Sequence, residues 1–190
     1  MADGTLKVGT ITTSSGSGTI TLGQSGETVD MANGSITLNS DMKNTPAFCA
    51  TLSSDQSYTA GNFTKVQLDN EVLDTDNAFD PTTNYRFTVP SGKAGKYMIL
   101  GTIGWNSSSN NMQNVQARIY KNGSAFVFAQ DGVTTDYDHK FTNVYTIMDL
   151  VAGDYIELYS WISSGGGIVI DSDDGGTRRT QLMGYRIIGA

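Results

Sequence analysis

From Pro46 onward, apolar and polar residues alternate over stretches of strand length. The stretches are "AFCATL" (47–52), "NFTKVQLD" (62–69), "NYRFTVP" (84–90), "KYMILGTIGW" (96–105), "NVQARIY" (114–120), "AFVFAQ" (125–130), "KFTNVYTIMDL" (140–150), "DYIELYSW" (154–161) and "TQLMGYRIIG" (180–189). A period of two places successive side chains on opposite faces of a strand. No stretch carries a period of 3.6, so very little helix is expected. Lys121-Asn122-Gly123 supplies the residues of a primed turn and predicts a hairpin between its flanking strands. Gly153-Asp154, between "IMDLVA" and "YIELYSW", reads as a second hairpin. Eight to ten short strands with frequent turns predict an all-β chain folded as an antiparallel jelly-roll sandwich.

Residues 1–45 follow a different pattern. They contain no aromatic residue, and their apolar positions come in small i, i+2 pairs: Leu6/Val8, Ile20/Leu22, Val29/Met31 and Ile36/Leu38. Turn formers such as "SSGSG" and "ANGS" separate the pairs, and "TITLGQ" nearly repeats as "SITLNS". Strands with two inward teeth bury too little surface to stand alone. The pattern predicts a β-rich arm or stalk over 1–45, ordered against copies of itself or a larger assembly, with the head over 46–190. A flexible Gly/Ser linker is the alternative.

Composition narrows the function. Nineteen acids against twelve Lys and Arg give a net charge of −7. Nucleic-acid binding rests on clustered cations, so no nucleic-acid partner is expected. Cys49 is the single cysteine, which rules out an intrachain disulfide, and it is expected as a small buried hydrophobe. The opening residues lack a basic start followed by an apolar core, so no signal peptide and no membrane insertion are expected; synthesis is expected in the cytoplasm.

The segments "PAFCATL", "FTKVQLDNEVLDTDNAFDPTTNYRFTVPSGKAGKYMI", "LVAGDYIELYSW" and "MGYRIIG" resemble, in that order, the jelly-roll head of the complement one-q and tumour-necrosis-factor superfamily. The run from Asn70 to Phe79-Asp80-Pro81, and Gly184-Tyr185 in the last strand, carry the likeness best. The resemblance implies a homotrimer about a three-fold axis. On that reading Tyr155, Tyr159 and Trp161, which alternate with Ile156 and Leu158, pack with Tyr185 between subunits. The alternative places both sets within one sandwich. The arm, in "GTLKVGTITTSSGSGTITLGQSGETVDMANG", is similar to openings of bacteriophage virion proteins. A collagen-like Gly-x-y stalk is absent. The expected protein is therefore a structural virion protein, a trimeric fibre, spike or capsid decoration. It would contact other virion proteins through 1–45 and bind a host-surface glycan or protein through its head. A decoration protein without receptor binding, or a polysaccharide depolymerase, are the alternatives.

Candidate chemistry is sparse. Asp171, Asp173 and Asp174 in "DSDDGG" offer carboxylates to a hard cation such as calcium, though position 12 of an EF-hand counted from Asp171 is Leu182. A solvated turn is the plainer reading, and no cofactor is expected. His139 has no nucleophile elbow or partner motif, so no enzyme is expected. The long polar connections carry the candidate receptor contacts: Trp105, Asn106, Asn110 and Asn111 in one, Arg178 and Arg179 in the other, with Trp105 or Trp161 stacking on a sugar ring.

Overall fold

The computed structural model describes residues 43–109, 112–132, 139–163, 165–174 and 176–187. Apart from residues 43–45, the expected arm over 1–45 lies outside the described residues, as do Asn110 and Asn111. Among the described residues there are fifteen strands and no helix. They are β1 (Ala47–Thr51), β2 (Gln56–Tyr58), β3 (Thr64–Lys65), β4 (Asn70–Asp74), β5 (Phe79–Asp80), β6 (Arg86–Thr88), β7 (Gly95–Ser107), β8 (Val115–Lys121), β9 (Ser124–Asp131), β10 (His139–Leu150), β11 (Tyr155–Ile162), β12 (Ile168–Ile170), β13 (Asp173–Asp174), β14 (Thr177–Arg178) and β15 (Gln181–Arg186). Each of the nine alternating stretches contains a strand. The other six are β4 and five strands of two or three residues.

The strands form two antiparallel sheets packed as a jelly-roll sandwich. The seven-stranded sheet runs β2-β12-β7-β15-β1-β4, with β10 also paired to β7. The six-stranded sheet runs β5-β6-β11-β8-β9, with β3 also paired to β11. A small β13-β14 ladder lies apart from both.

The Asn122-Gly123 hairpin forms as predicted. Both residues take positive φ, 53° and 77°, as a type I′ turn between β8 and β9 requires. The second expected hairpin does not form. β10 pairs with β7 in one sheet and β11 with β8 in the other, so Gly153-Asp154 carries the chain from sheet to sheet. The turn itself is tight: the Asp154 N–H donates to the Val151 carbonyl at 3.0 Å, and Gly153 has φ 89°. Alternation identified two strands there but says nothing of which strand each one pairs with.

The core lies between the sheets. Phe48 of β1 stacks on Phe87 with centroids 4.3 Å apart and planes 8° apart, and Phe87 meets Tyr97 at 5.8 Å. Such pairs add to the stabilisation from burial. Gly184 is required by packing. A Cβ there would lie 2.6 Å from Ile99 Cδ1, 2.8 Å from the Met98 carbonyl oxygen and 3.0 Å from Phe48 Cε1. The Gly-aromatic pair of the last strand thus lets β15 lie flat over Phe48.

The acidic run 69–80 is built rather than loose. Asp74 accepts the N–H groups of Asp76, Ala78 and Phe79. Asp80 accepts those of Thr82, Thr83 and Asn84. The Thr83 and Thr82 N–H groups and the Asn84 amide hold its carboxyl well below the usual carboxylate range.

Candidate functional site

Each sheet turns one face to the core and one outward, and the two outward faces differ. On the seven-stranded sheet the outward side chains line up in register across strands. One row runs Tyr145, Leu100, Met183, Cys49, Leu73 over β10, β7, β15, β1 and β4. The next runs Ile147, Met98, Tyr185. Tyr145 is 67% exposed, Ile147 59% and Leu73 49%. Met98, Leu100, Met183, Cys49, Leu73 and Tyr185 line a shallow apolar hollow of about 320 Å³. Across the sheet the rows turn polar, where Thr102 Oγ1 donates to Asn143 Oδ1 at 2.8 Å.

Cys49 therefore departs from expectation. It is half-buried on this outward face, while its neighbours Phe48 and Ala50 fill the core. Burial pushes its thiol up, with the Arg178 charge acting the other way.

The outward face of the six-stranded sheet is aromatic but compensated. On β11 it presents Tyr155, Glu157, Tyr159 and Trp161, while Ile156 and Leu158 fill the core. Tyr159 stacks on Tyr120 at 3.9 Å. The Arg86 guanidinium lies 4.0 Å from the centre of the Tyr155 ring. Glu157, buried, forms an ion pair with Lys65, whose ammonium also donates to the Asn84 carbonyl at 3.2 Å. Burial pushes the Tyr159 phenol up, and the Glu157 charge adds to it.

The expected interface set is thus divided. Tyr185 lies on the seven-stranded face, whereas Tyr155, Tyr159 and Trp161 lie on the opposite side of the sandwich, so one surface does not hold all four.

The receptor-loop candidates fare differently. Trp105 is a core residue with no exposed surface, and its Nε1–H donates to Ser160 Oγ at 2.7 Å; no sugar can stack on it. Asn106 belongs to strand β7, opposite His139 and Val169, rather than to a loop. Arg178 is exposed on β14. Arg179 is engaged: its Nη1 donates to Asp171 Oδ2 at 2.5 Å, and its guanidinium lies 5.4 Å from the Phe141 ring.

Asp171 is likewise not a solvated turn residue. It is 3% exposed and paired with Arg179. The side chains of Asp173 and Asp174 lie outside the described ones, and among the described residues no three acids, histidines or cysteines gather as a metal would require.

At one end of the sandwich, Asp154 ties the two predicted turns together. Its carboxylate accepts from Asn122 Nδ2 at 2.7 Å and from the Val151 N–H at 3.0 Å, and it pairs with Lys121 at 2.9 Å. Burial pushes this carboxyl up, but those hydrogen bonds and the Lys121 charge bring it down to about 2.

The apolar rows were within reach of sequence reading. "YMIL" (97–100) is an unbroken apolar run, and in "KFTNVYTIMDL" both alternating sets contain large apolar residues. A strand apolar on both sides is one covered on both sides. What the sequence withholds is the register that joins these residues into one surface.

No protein-family model and no curated protein matches the sequence. Solved structures do match in fold. The globular domain of zebrafish complement 1qA protein aligns with a TM-score of 0.52 at 13% identity, covering 75% of this chain and 97% of that one. Murine APRIL at pH 5.0 aligns with a TM-score of 0.54 at 12% identity, covering 74% and 98%.

Proposed function

We propose that the chain is the head of a homotrimeric structural protein that works by binding, carried on a phage particle by its N-terminal residues. The observation that carries the trimer is the apolar row Tyr145–Leu100–Met183–Cys49–Leu73, laid across five strands with no covering from the described residues. Contiguous exposed apolar surface of this kind marks an interaction site. Burying a half-exposed Tyr or Ile against a partner contributes roughly 1 kcal/mol each. The occupant is a second copy of the chain, in a head-to-side contact that closes after three.

The resemblance of the head to a trimeric superfamily, and of residues 1–45 to virion protein openings, supports the same reading. Binding rather than catalysis is favoured because the well-placed acids, Asp74, Asp80, Asp154 and Asp171, serve turns and ion pairs. Three copies per head make weak single contacts strong together.

Light scattering of the full chain is the deciding experiment, with an expected mass three times the 20.3 kDa of the chain. A monomer mass overturns the interface. Immunogold labelling with antibody to the head is expected to decorate purified particles, and particles without label remove the virion assignment.

A further inference from the structure

Arg118 occupies the middle of the outward six-stranded face, opposite Tyr159 on β11 and Phe128 on β9. Its guanidinium lies 4.1 Å from the centre of the Phe63 ring and 4.9 Å from that of Phe128. Its Nε donates to Gln116 Oε1 at 2.8 Å, and its Nη2 donates to the same oxygen at 2.5 Å. Gln116 is held in turn, its Nε2 donating to Gln130 Oε1 at 2.6 Å. Two rings and one amide therefore fix the plane of the guanidinium, while its Nη1 edge has no acceptor among the described residues and is left for one from outside.

The other cations of this face are engaged: Lys65 pairs with Glu157, and the Arg86 guanidinium lies on the Tyr155 ring, whereas among the described residues no carboxylate pairs with Arg118. In a chain of net charge −7, a guanidinium fixed by two rings and an amide without an acid is a specific feature. Beside it lies an apolar platform: Phe63, 49% exposed, stacks on Trp161 with centroids 6.1 Å apart, and Phe128 is 54% exposed.

We propose that this surface recognises a carboxylate carried on a sugar ring, that is, an acidic glycan. The carboxylate takes hydrogen bonds from the Arg118 edge, in the planar fork geometry that suits guanidinium and carboxylate. The sugar's C–H face rests on Phe63 and Trp161, and the amides of Gln116 and Gln130 border the ring's hydroxyls. A single fixed guanidinium matches a monoanion, whereas a phosphate dianion calls for a second cation, and the face's other cations, Lys65 and Arg86, are held by Glu157 and by the Tyr155 ring. Prior fixing of the guanidinium removes part of the ordering cost of binding. The inference rests on reading the chain as a binding head and names its ligand.

Calorimetric titration of the full chain with a galacturonic acid oligomer, its methyl ester and inorganic phosphate tests it. The acid form is expected to bind, the neutral ester at least about tenfold more weakly, and phosphate not to compete. Arg118→Gln is expected to lose about tenfold or more. Arg118→Lys should do nearly as badly, because it keeps the charge and loses the fork.

Equal binding of acid and ester, unchanged binding by Arg118→Gln, displacement by phosphate, or no binding by the acid oligomer each overturns the proposal. The acid-to-ester ratio is read on the unaltered protein, so it stands even if a variant fails to fold. A trimer that binds a neutral glycan but not the acid one sinks this inference and leaves the binding-head reading in place. A monomer that binds no glycan removes both.

Discussion

The two outward faces of the sandwich are made of similar residue types and reach opposite ends. Both carry large apolar side chains half open to water. On the seven-stranded sheet, Tyr145, Leu100, Met183 and Leu73 sit among other apolar side chains, with no cation over a ring among the described residues of that row. On the six-stranded sheet, most of the large rings have a polar or aromatic companion: Arg86 over Tyr155, Arg118 against Phe63 and Phe128, Tyr120 on Tyr159. A guanidinium over a ring keeps its hydration on the far side, so such a surface is stable in water. A surface of bare methyl, thioether and ring edges is not, unless protein covers it. On the proposed reading, the difference separates a face for a second copy from one for solvent and ligand.

A charge placed on each face in turn has the largest expected effect. Ile147→Glu is expected to turn the proposed trimer into a folded monomer at micromolar concentration, because each buried carboxylate would sit unpaired between subunits. Phe126→Glu, on the opposite face and 52% exposed, is expected to leave the mass unchanged. Sedimentation velocity reads both. If the two variants behave alike, the faces are not different in kind.

A smaller effect concerns what keeps the six-stranded face polar. Glu157 is 3% exposed and depends on Lys65 for its counter-charge. Lys65→Met removes that charge and leaves the carboxylate buried alone, which is expected to cost about 2–4 kcal/mol in urea unfolding. The double variant Lys65→Met/Glu157→Leu should regain most of it. A loss below about 1 kcal/mol in the single variant would show that water already solvates Glu157.

How much of this was legible beforehand depended on which property each residue expressed. Period two found the strands, and Asn122-Gly123 announced its turn, because both signals are local. Trp105 was misread for the same reason: next to "NSSSNN" it looks like a loop residue, yet strand β7 continues through Ser107 and turns its indole inward to Ser160. Gly153-Asp154 looked like a hairpin because a turn between two alternating strands has the same sequence whether it stays in one sheet or crosses to the other. Arg118 gave no signal at all. Gln116 is its neighbour on the same strand, but Phe63 and Phe128 come from distant places in the chain, and only the folded sheet brings them to Arg118.

The crossing turn supplies the next test, since it holds the two differently surfaced sheets together. Asp154 has a folded pKa of about 2, below the roughly 3.9 of an unfolded Asp. A depressed folded pKa adds stability at pH values above the unfolded one, and that stability disappears as the pH falls from about 4 to about 2. Asp154→Asn is therefore expected to cost about 1–2 kcal/mol at pH 7. The gap between variant and parent should close across that acid window. Thermal melts at pH 7, 4 and 2.5 read it, and a gap that stays constant with pH would show that Asn122 and Val151 do not need the charge.

The mildest change bears on the comparison most directly, because it alters the hydration of one face without touching the core. Arg86 lies over the Tyr155 ring at 4.0 Å, at the edge of the six-stranded sheet. An exposed cation–π contact contributes about 0.5–1 kcal/mol, so Arg86→Gln is expected to lower stability by no more than that. Its larger consequence is chemical. With the guanidinium gone, Tyr155 becomes a bare ring like Tyr145, and the face gains a patch of the kind found on the other side. If cations are what keep this surface free of protein partners, the variant should bind an apolar dye such as ANS more strongly than the parent and self-associate at high concentration. If dye binding and mass both stay as they were, the aromatic rings of this face tolerate water on their own, and the contrast between the two surfaces rests on Arg118 and the Lys65–Glu157 pair.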